Sequence, residues 1–251
     1  WSKEINPQAR FAYAQRLYNV IQPERYDFLF EDRDIYGERT DRYEFVAHVY
    51  DWIDNNEDAT DPTGDPNQWG RVGGGAEDAA YTSYKREPKN AYFDSPRELM
   101  MVRGMSDAHW AAFGESISIY AGNKINILSA TDQSIETLVR MCAANPQDPL
   151  LFDPFWTTQI VQSWTACKQL GLLGGGCQVS PKGFASFLQA GFQQVSGIAI
   201  DQQRCLDMMS TESQNFTVRS SATVGNVTRT ATAVLRVTGP TGEERYFYTI
   251  Q

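Results

Sequence analysis

Residues 214–250 read QNFTVRSSATVGNVTRTATAVLRVTGPTGEERYFYTI. Phe216, Val218 and Ser220 alternate with polar neighbours, Thr228 to Val237 is dense in threonine and valine, and Tyr246–Ile250 is aromatic and β-branched. Breaks fall at Gly225–Asn226 and at Gly239-Pro240-Thr241-Gly242. Alternation with a period of two between tight-turn residues predicts a three-stranded antiparallel meander. Three strands are marginal alone, so this sheet must pack on a helix or pair with another chain.

The residues before about 206 read as mainly helical. Asn6 can cap a first helix with Pro7 at its first position. Phe11, Ala14, Leu17, Tyr18 and Ile21 follow at helical spacing, and Pro23 ends the run. A second helix is predicted over roughly 41–53, with Phe45, Val46, Val49, Trp52 and Ile53 on one face. Residues 94–114 read as a helical hairpin. Ser95 and Glu98 supply a capping box, Gly104 the turn, and Ser106 the cap of a partner helix carrying Trp110 and Phe113. A short strand pair is expected at Ser116–Tyr120 and Lys124–Leu128. Three more amphipathic helices carry Ile135, Leu138, Val139 and Cys142; then Ile160, Val161, Trp164 and Cys167; then Phe184, Phe187 and Leu188 behind a Ser180–Pro181 cap. The expected fold class is α+β. A mainly helical domain over 1–205, with helical hairpins of the SAM or helix-hairpin-helix kind, is attached to a small antiparallel sheet over 206–251.

Charge narrows the function classes. The 251 residues hold 22 basic and 31 acidic side chains, for a net charge of −9. That balance argues against a protein held to nucleic acid by phosphate contacts, and against binding to an anionic membrane surface. Arg97 and Arg103 flank the Gly104 turn, but Glu98, Asp107 and Glu115 surround them, so this hairpin is no DNA-backbone clamp. A 41% hydrophobic content excludes wholesale disorder. No apolar run approaches the ~20 residues of a membrane span, and Trp1 opens no signal peptide.

The four cysteines, Cys142, Cys167, Cys177 and Cys205, include no CxxC pair, and His48 and His109 lie far from them in sequence. A zinc site is disfavoured. In an oxidising compartment three connectivities are open, of which Cys167–Cys177 as a local closure and Cys142–Cys205 as a longer clasp are favoured. The alternative is four buried thiols in a reducing compartment.

Between Asp51 and Asp78 stand eight acids, Asp51, Asp54, Glu57, Asp58, Asp61, Asp65, Glu77 and Asp78, against one base, Arg71. Carboxylates crowded into a folded loop repel unless neutralised. A hard cation with oxygen ligands does this, and calcium suits a flexible acidic loop; a solvated loop over about 51–92 is the alternative. Glu31–Gly37 has part of an EF-hand spacing, but Tyr36 and Tyr43 occupy ligand positions, which favours a solvated turn. Catalytic templates are missing: there is no GxSxG, HExxH, P-loop or GxGxxG. Both histidines fall inside helices and read as packing or surface residues rather than general bases.

The order of these pieces resembles the type II secretion minor pseudopilin K (GspK) family. The resemblance lies in Asp51-Trp52-Ile53-Asp54 at a helix end, Gly75-Ala76-Glu77-Asp78 with Tyr81 and Tyr84, and Asn90. Ser95 to Met105 and Ile125-Asn126-Ile127-Leu128-Ser129-Ala130 continue it, and the closing β segment completes it. It implies a pilin-type sheet carrying a large helical domain that binds calcium, with ligand candidates Asp54, Asp58, Glu77, Asp78, Asn90 and Asp51. It also implies a non-catalytic subunit at the tip of a periplasmic pseudopilus, beside I- and J-like minor pseudopilins. Its inner-membrane anchor would be an amino-terminal helix absent from this chain. The region 141–205 and the Asp61–Gly73 insertion depart from the family pattern. The competing classes are a secreted hydrolase using acidic residues and a calcium-stabilised adhesion module.

Overall fold

The computed structural model describes residues 7–34, 36–61, 72–120, 124–146, 148–195, 198–237 and 242–250. The chain forms two compact units: residues 1–119 with 151–153, and residues 120–150 with 154–251. Among the described residues no helix is long and apolar enough to cross a membrane.

In the first unit, α1 (Pro7–Ile21), α2 (Asp27–Glu31) and α3 (Arg42–Ile53) build the core. The helix α1 stops just before Gln22–Pro23, because a proline there would clash with the preceding turn. Asp41 caps α3: its carboxylate accepts the amides of Tyr43 and Glu44 at 2.8 and 2.9 Å, and Glu44 accepts the Asp41 amide at 2.9 Å. Such a reciprocal cap contributes about 1 kcal/mol. Every residue from Phe45 to Ile53 is buried, so α3 is a central helix and not a one-faced surface helix. Phe30, Phe113 and His109 pack around Phe45 with ring centroids at 6.2 Å.

Beyond α3, β1 (Asp58–Thr60) pairs antiparallel with β2 (Val72–Ala76), with an irregularity between Asp58 and Thr60. A 3₁₀ helix, Glu77–Tyr84, follows. The expected hairpin over 94–114 is corrected in its first half. Ser95 makes no side-chain cap, and Pro96–Met101 is a 3₁₀ helix. Glu98 instead accepts the backbone N–H of Asp94 at 2.8 Å. The second half forms α4 (Asp107–Phe113), capped by Ser106. Gly104 has φ +84°, and a Cβ there would stand 2.6 Å from Thr40 Cγ2, so glycine is required twice over.

The second unit holds α5 (Asp132–Cys142), α6 (Pro154–Leu172), α7 (Pro181–Val195) and α8 (Gln202–Asp207). Trp164 and Phe184 meet edge to face at 4.7 Å in its interior. The expected strand pair at 116–128 does not form. Its turn, 121–123, lies outside the described residues, while β3 (Ile125–Asn126) pairs in parallel with β4 (Met209–Ser210). Asn126 side-chain N–H to Ser213 Oγ at 2.7 Å supports that pairing. Cys142 is bridged to Cys205 and Cys167 to Cys177, and among the described residues no cysteine is free. The Cys142–Cys205 bridge joins α5 to α8 inside the second unit. The division between the two compact units falls near residue 120, while the composition changes near 206.

The meander forms as the alternation predicts: β5 (Asn215–Val224), β6 (Val227–Val237) and β7 (Glu243–Ile250), antiparallel in that order. Gly225, at φ +60°, makes the tight turn with Asn226 that joins β5 to β6.

Candidate metal centre

Three segments bring carboxylates together at the end of α3. Helical spacing carries Asp51 and Asp54 to the last turn of α3, where Asp54 is its C-terminal cap residue. The β1–β2 ribbon returns the chain to Glu77, whose amide donates to Glu57 O at 3.2 Å. Asn90, in the left-handed region at φ +50°, donates from Nδ2 to Asn56 O at 3.0 Å. Asn56 in turn donates to Asp54 Oδ2 at 2.6 Å and accepts the Asp58 amide at 2.8 Å.

What distinguishes the site is unmatched oxygen. Asp54 Oδ1, both carboxylate oxygens of Glu77, and Asn90 Oδ1 are buried with no hydrogen-bond donor in place. Orphaned acceptors of this kind cost about 1–3 kcal/mol each, and more where the group is charged. Burial, then the Asp51 and Asp54 charges, push the Glu77 carboxyl up to about 9. Burial also drives Asp51 up to about 7, against the hydrogen bonding of Thr60, whose amide reaches Asp51 Oδ1 at 2.8 Å. Without a counter-charge the cluster favours protons over ionised oxygens.

Of the six sequence-derived candidates, the structure groups Asp51, Asp54, Glu77 and Asn90. Asp58 and Asp78 are exposed, Asp58 because it starts the β1 edge and Asp78 because the 3₁₀ turn rotates it outward. Sequence reasoning missed Asn56 and Thr60, which hold Asp54 and Asp51 in place; an Asn two residues after a helix-ending Asp was the available signal. Among the described residues no three His, Cys, Asp or Glu side chains converge into a ready-made metal cluster. Two carboxylates with free oxygens and one amide oxygen nonetheless fit a hard cation that completes its shell with carbonyls and water.

The cluster is closed to substrates, with Asp51 and Glu77 each 2% exposed. A separate cleft of about 260 Å³ is lined by Tyr18, Asp27, Phe30, Arg39, Arg42 and Tyr43. Two of its three acids have structural roles: Asp27 pairs with Arg42 at 2.6 Å and Asp41 caps α3, while Glu31 also lines it. Within the Glu31–Gly37 stretch, Asp34 accepts the Tyr36 and Glu38 amides at 2.8 and 2.9 Å and the Tyr84 hydroxyl. His48 and His109 are packing residues held neutral by burial, at about 3 and about 4.

A solved structure is similar across most of the chain. A chain of the GspK–GspI–GspJ complex from the type 2 secretion system of enterotoxigenic Escherichia coli superposes with a TM-score of 0.55 at 15% identity. The match covers 95% of this chain and 69% of that one. No family model and no curated protein matches the sequence. The shared feature is the fold, α+β and GspK-like.

Proposed function

We propose that this chain is a non-catalytic minor pseudopilin of a type II secretion system. The observation that carries this reading is the GspK-like fold along nearly the whole chain. The matched structure holds GspK with GspI and GspJ, and I- and J-like subunits are the partners proposed for this chain. In this reading it caps the periplasmic pseudopilus tip, where the helical unit leaves no surface for a further subunit. Its inner-membrane attachment is through an amino-terminal segment outside this chain. Two disulfides support an oxidising compartment.

The same reading gives the acidic cluster to calcium. Asp54, Glu77 and Asn90 would hold the ion with oxygens that otherwise lack donors, and Asp51 would stand behind them. The ion supplies charge neutralisation and fixes the 54–92 loop against α3. Co-expression with I- and J-like pseudopilins tests the assembly: a stable ternary complex on size exclusion is expected. Hydrolysis of a polymeric substrate lost on changing Asp51 or Glu77 would point to the enzyme instead.

A further inference from the structure

Helix α6 buries one side and carries a neutral stripe on the other. Val161 and Trp164 turn into the interior of the second unit, where Trp164 meets Phe184. Helical spacing puts Phe155, Gln159, Gln162, Ala166, Leu170 and Leu173 within about 60° of one line on the opposite side. All six are exposed, Phe155 by 60%, Leu170 by 59% and Leu173 by 87%. Leu173 continues the helical path, since its amide donates to Gln169 O at 3.3 Å.

Charge is missing from this side. The helix has one charged side chain, Lys168. Helical spacing sets Lys168 on the Trp164 side, and its Nζ donates to Leu128 O at 3.3 Å. No acid occurs between Asp153 and Asp201. In a chain that is 21% charged, an exposed helix face without charge has the composition of an interface core. The stripe is also held in shape. Gly174 at φ +83° ends the helix, the Gly175 amide donates to Leu170 O at 2.7 Å, and Cys167 is bridged to Cys177. The two leucines are therefore ordered in advance, which lowers the cost of association.

We propose that this stripe pairs with the same stripe of a second copy, antiparallel about a two-fold axis level with Trp164. Its residue order is self-complementary in that arrangement. Phe155 stands opposite Leu173, Gln159 opposite Leu170 and Gln162 opposite Ala166, each pair made twice, as an isologous contact requires. The small Ala166 beside the axis lets the helices approach to about 8–10 Å, and antiparallel alignment sets the helix dipoles in opposition. Net charge does not oppose the contact, because residues 120–251 hold nine acids and nine bases. One helix face is smaller than a standard interface, so the dimer is weak. The proposal stands apart from the pseudopilin reading, since it requires neither calcium nor I- and J-like subunits.

Sedimentation velocity of the 251-residue chain from about 1 μM to about 1 mM is expected to show monomer passing to dimer. Ala166→Glu sets two carboxylates beside the axis and weakens the dimer about tenfold or more. Mixing it with Ala166→Lys restores association as a heterodimer. Ala166 is exposed, so both variants keep the parent melting curve. Cross-linking reads the register. With no free cysteine among the described residues, Phe155→Cys and Leu173→Cys each add one thiol. Oxidised together, the two variants link to one another. Neither links to itself, because its own copies lie about 27 Å apart along the axis. A chain that stays monomeric, a dimer indifferent to Ala166→Glu, or self-linking of either cysteine variant overturns the proposal. So does Ala166→Glu abolishing only the capture of I- or J-like subunits, which would assign the stripe to those partners.

Discussion

Glu98 accepts the indole N–H of Trp52 at 3.0 Å across 46 residues of sequence. The same carboxylate receives the Asp94 amide at 2.8 Å and Lys89 Nζ at 2.9 Å, which hold it below the usual carboxylate range against the opposing pull of burial. One side chain thus ties α3 to the segment that carries Asn90 toward the acidic cluster. Glu98→Ala leaves a buried indole donor unmet and is expected to cost about 1–3 kcal/mol. Urea denaturation measures it.

Calcium is expected to raise the thermal midpoint of chelator-treated protein, by mass action on the folded state. Glu77→Gln removes this response yet stabilises the metal-free protein, because a neutral amide replaces a carboxylate that burial disfavours. Asp58→Asn and Asp78→Asn, at exposed positions, keep the response within ~0.5 kcal/mol. A Glu77→Gln variant with the full calcium shift would refute the proposed ligand set.

Two groups of buried side chains give pH dependences of opposite sign. Asp51 and Glu77 have folded values raised to about 7 and about 9 from 3.8 and 4.5. Their contribution is full below the unfolded values and is lost as pH rises through the folded ones. His48 and His109 are lowered from 6.5 to about 3 and about 4. Theirs is full above pH 6.5 and lost as pH falls through that window. The chelated protein should therefore melt highest in mildly acidic buffer, and the calcium-induced rise should grow with pH. A calcium effect that shrinks from pH 5 to pH 8 contradicts this account.

Gly104→Ala combines a left-handed backbone with a Cβ placed against Thr40, and should destabilise by more than about 1 kcal/mol. Adding Thr40→Ala relieves the contact but not the dihedral, so recovery is partial by thermal melting.

Replacing Cys142 and Cys205 with serine, which opens a closure of 63 residues, should cost about 4 kcal/mol. The pair Cys167 and Cys177, separated by 10 residues, should cost less than ~3 kcal/mol. Comparing the two double variants in denaturant checks the order.

What could be read from the sequence was written locally. Pro23 bounding α1, Ser106 capping α4 and Gly225–Asn226 turning β5 into β6 each act within a few residues. The favoured cysteine pairing also holds. Non-local choices were hidden. Nothing near Ile125 names Met209 as its strand partner, and Ser95 makes no side-chain cap where the Glu98 amide donates to the Ser95 carbonyl in the 3₁₀ turn. Composition revealed a crowd of acids, but which ones turn inward depends on the β1–β2 register and on the left-handed Asn90, both set by tertiary packing.

The parallel pairing of Ile125–Asn126 with Met209–Ser210 has a consequence for how the chain matures. A polypeptide delivered end-first, whether from a ribosome or through a translocation pore, presents β3 long before β4 has emerged. The second unit must then wait as an open crossover, its earliest thiol unmated, until four-fifths of the chain has arrived. A protein built this way relies on its surroundings during that interval, when oxidants and holding chaperones decide whether the first cysteine meets its proper mate.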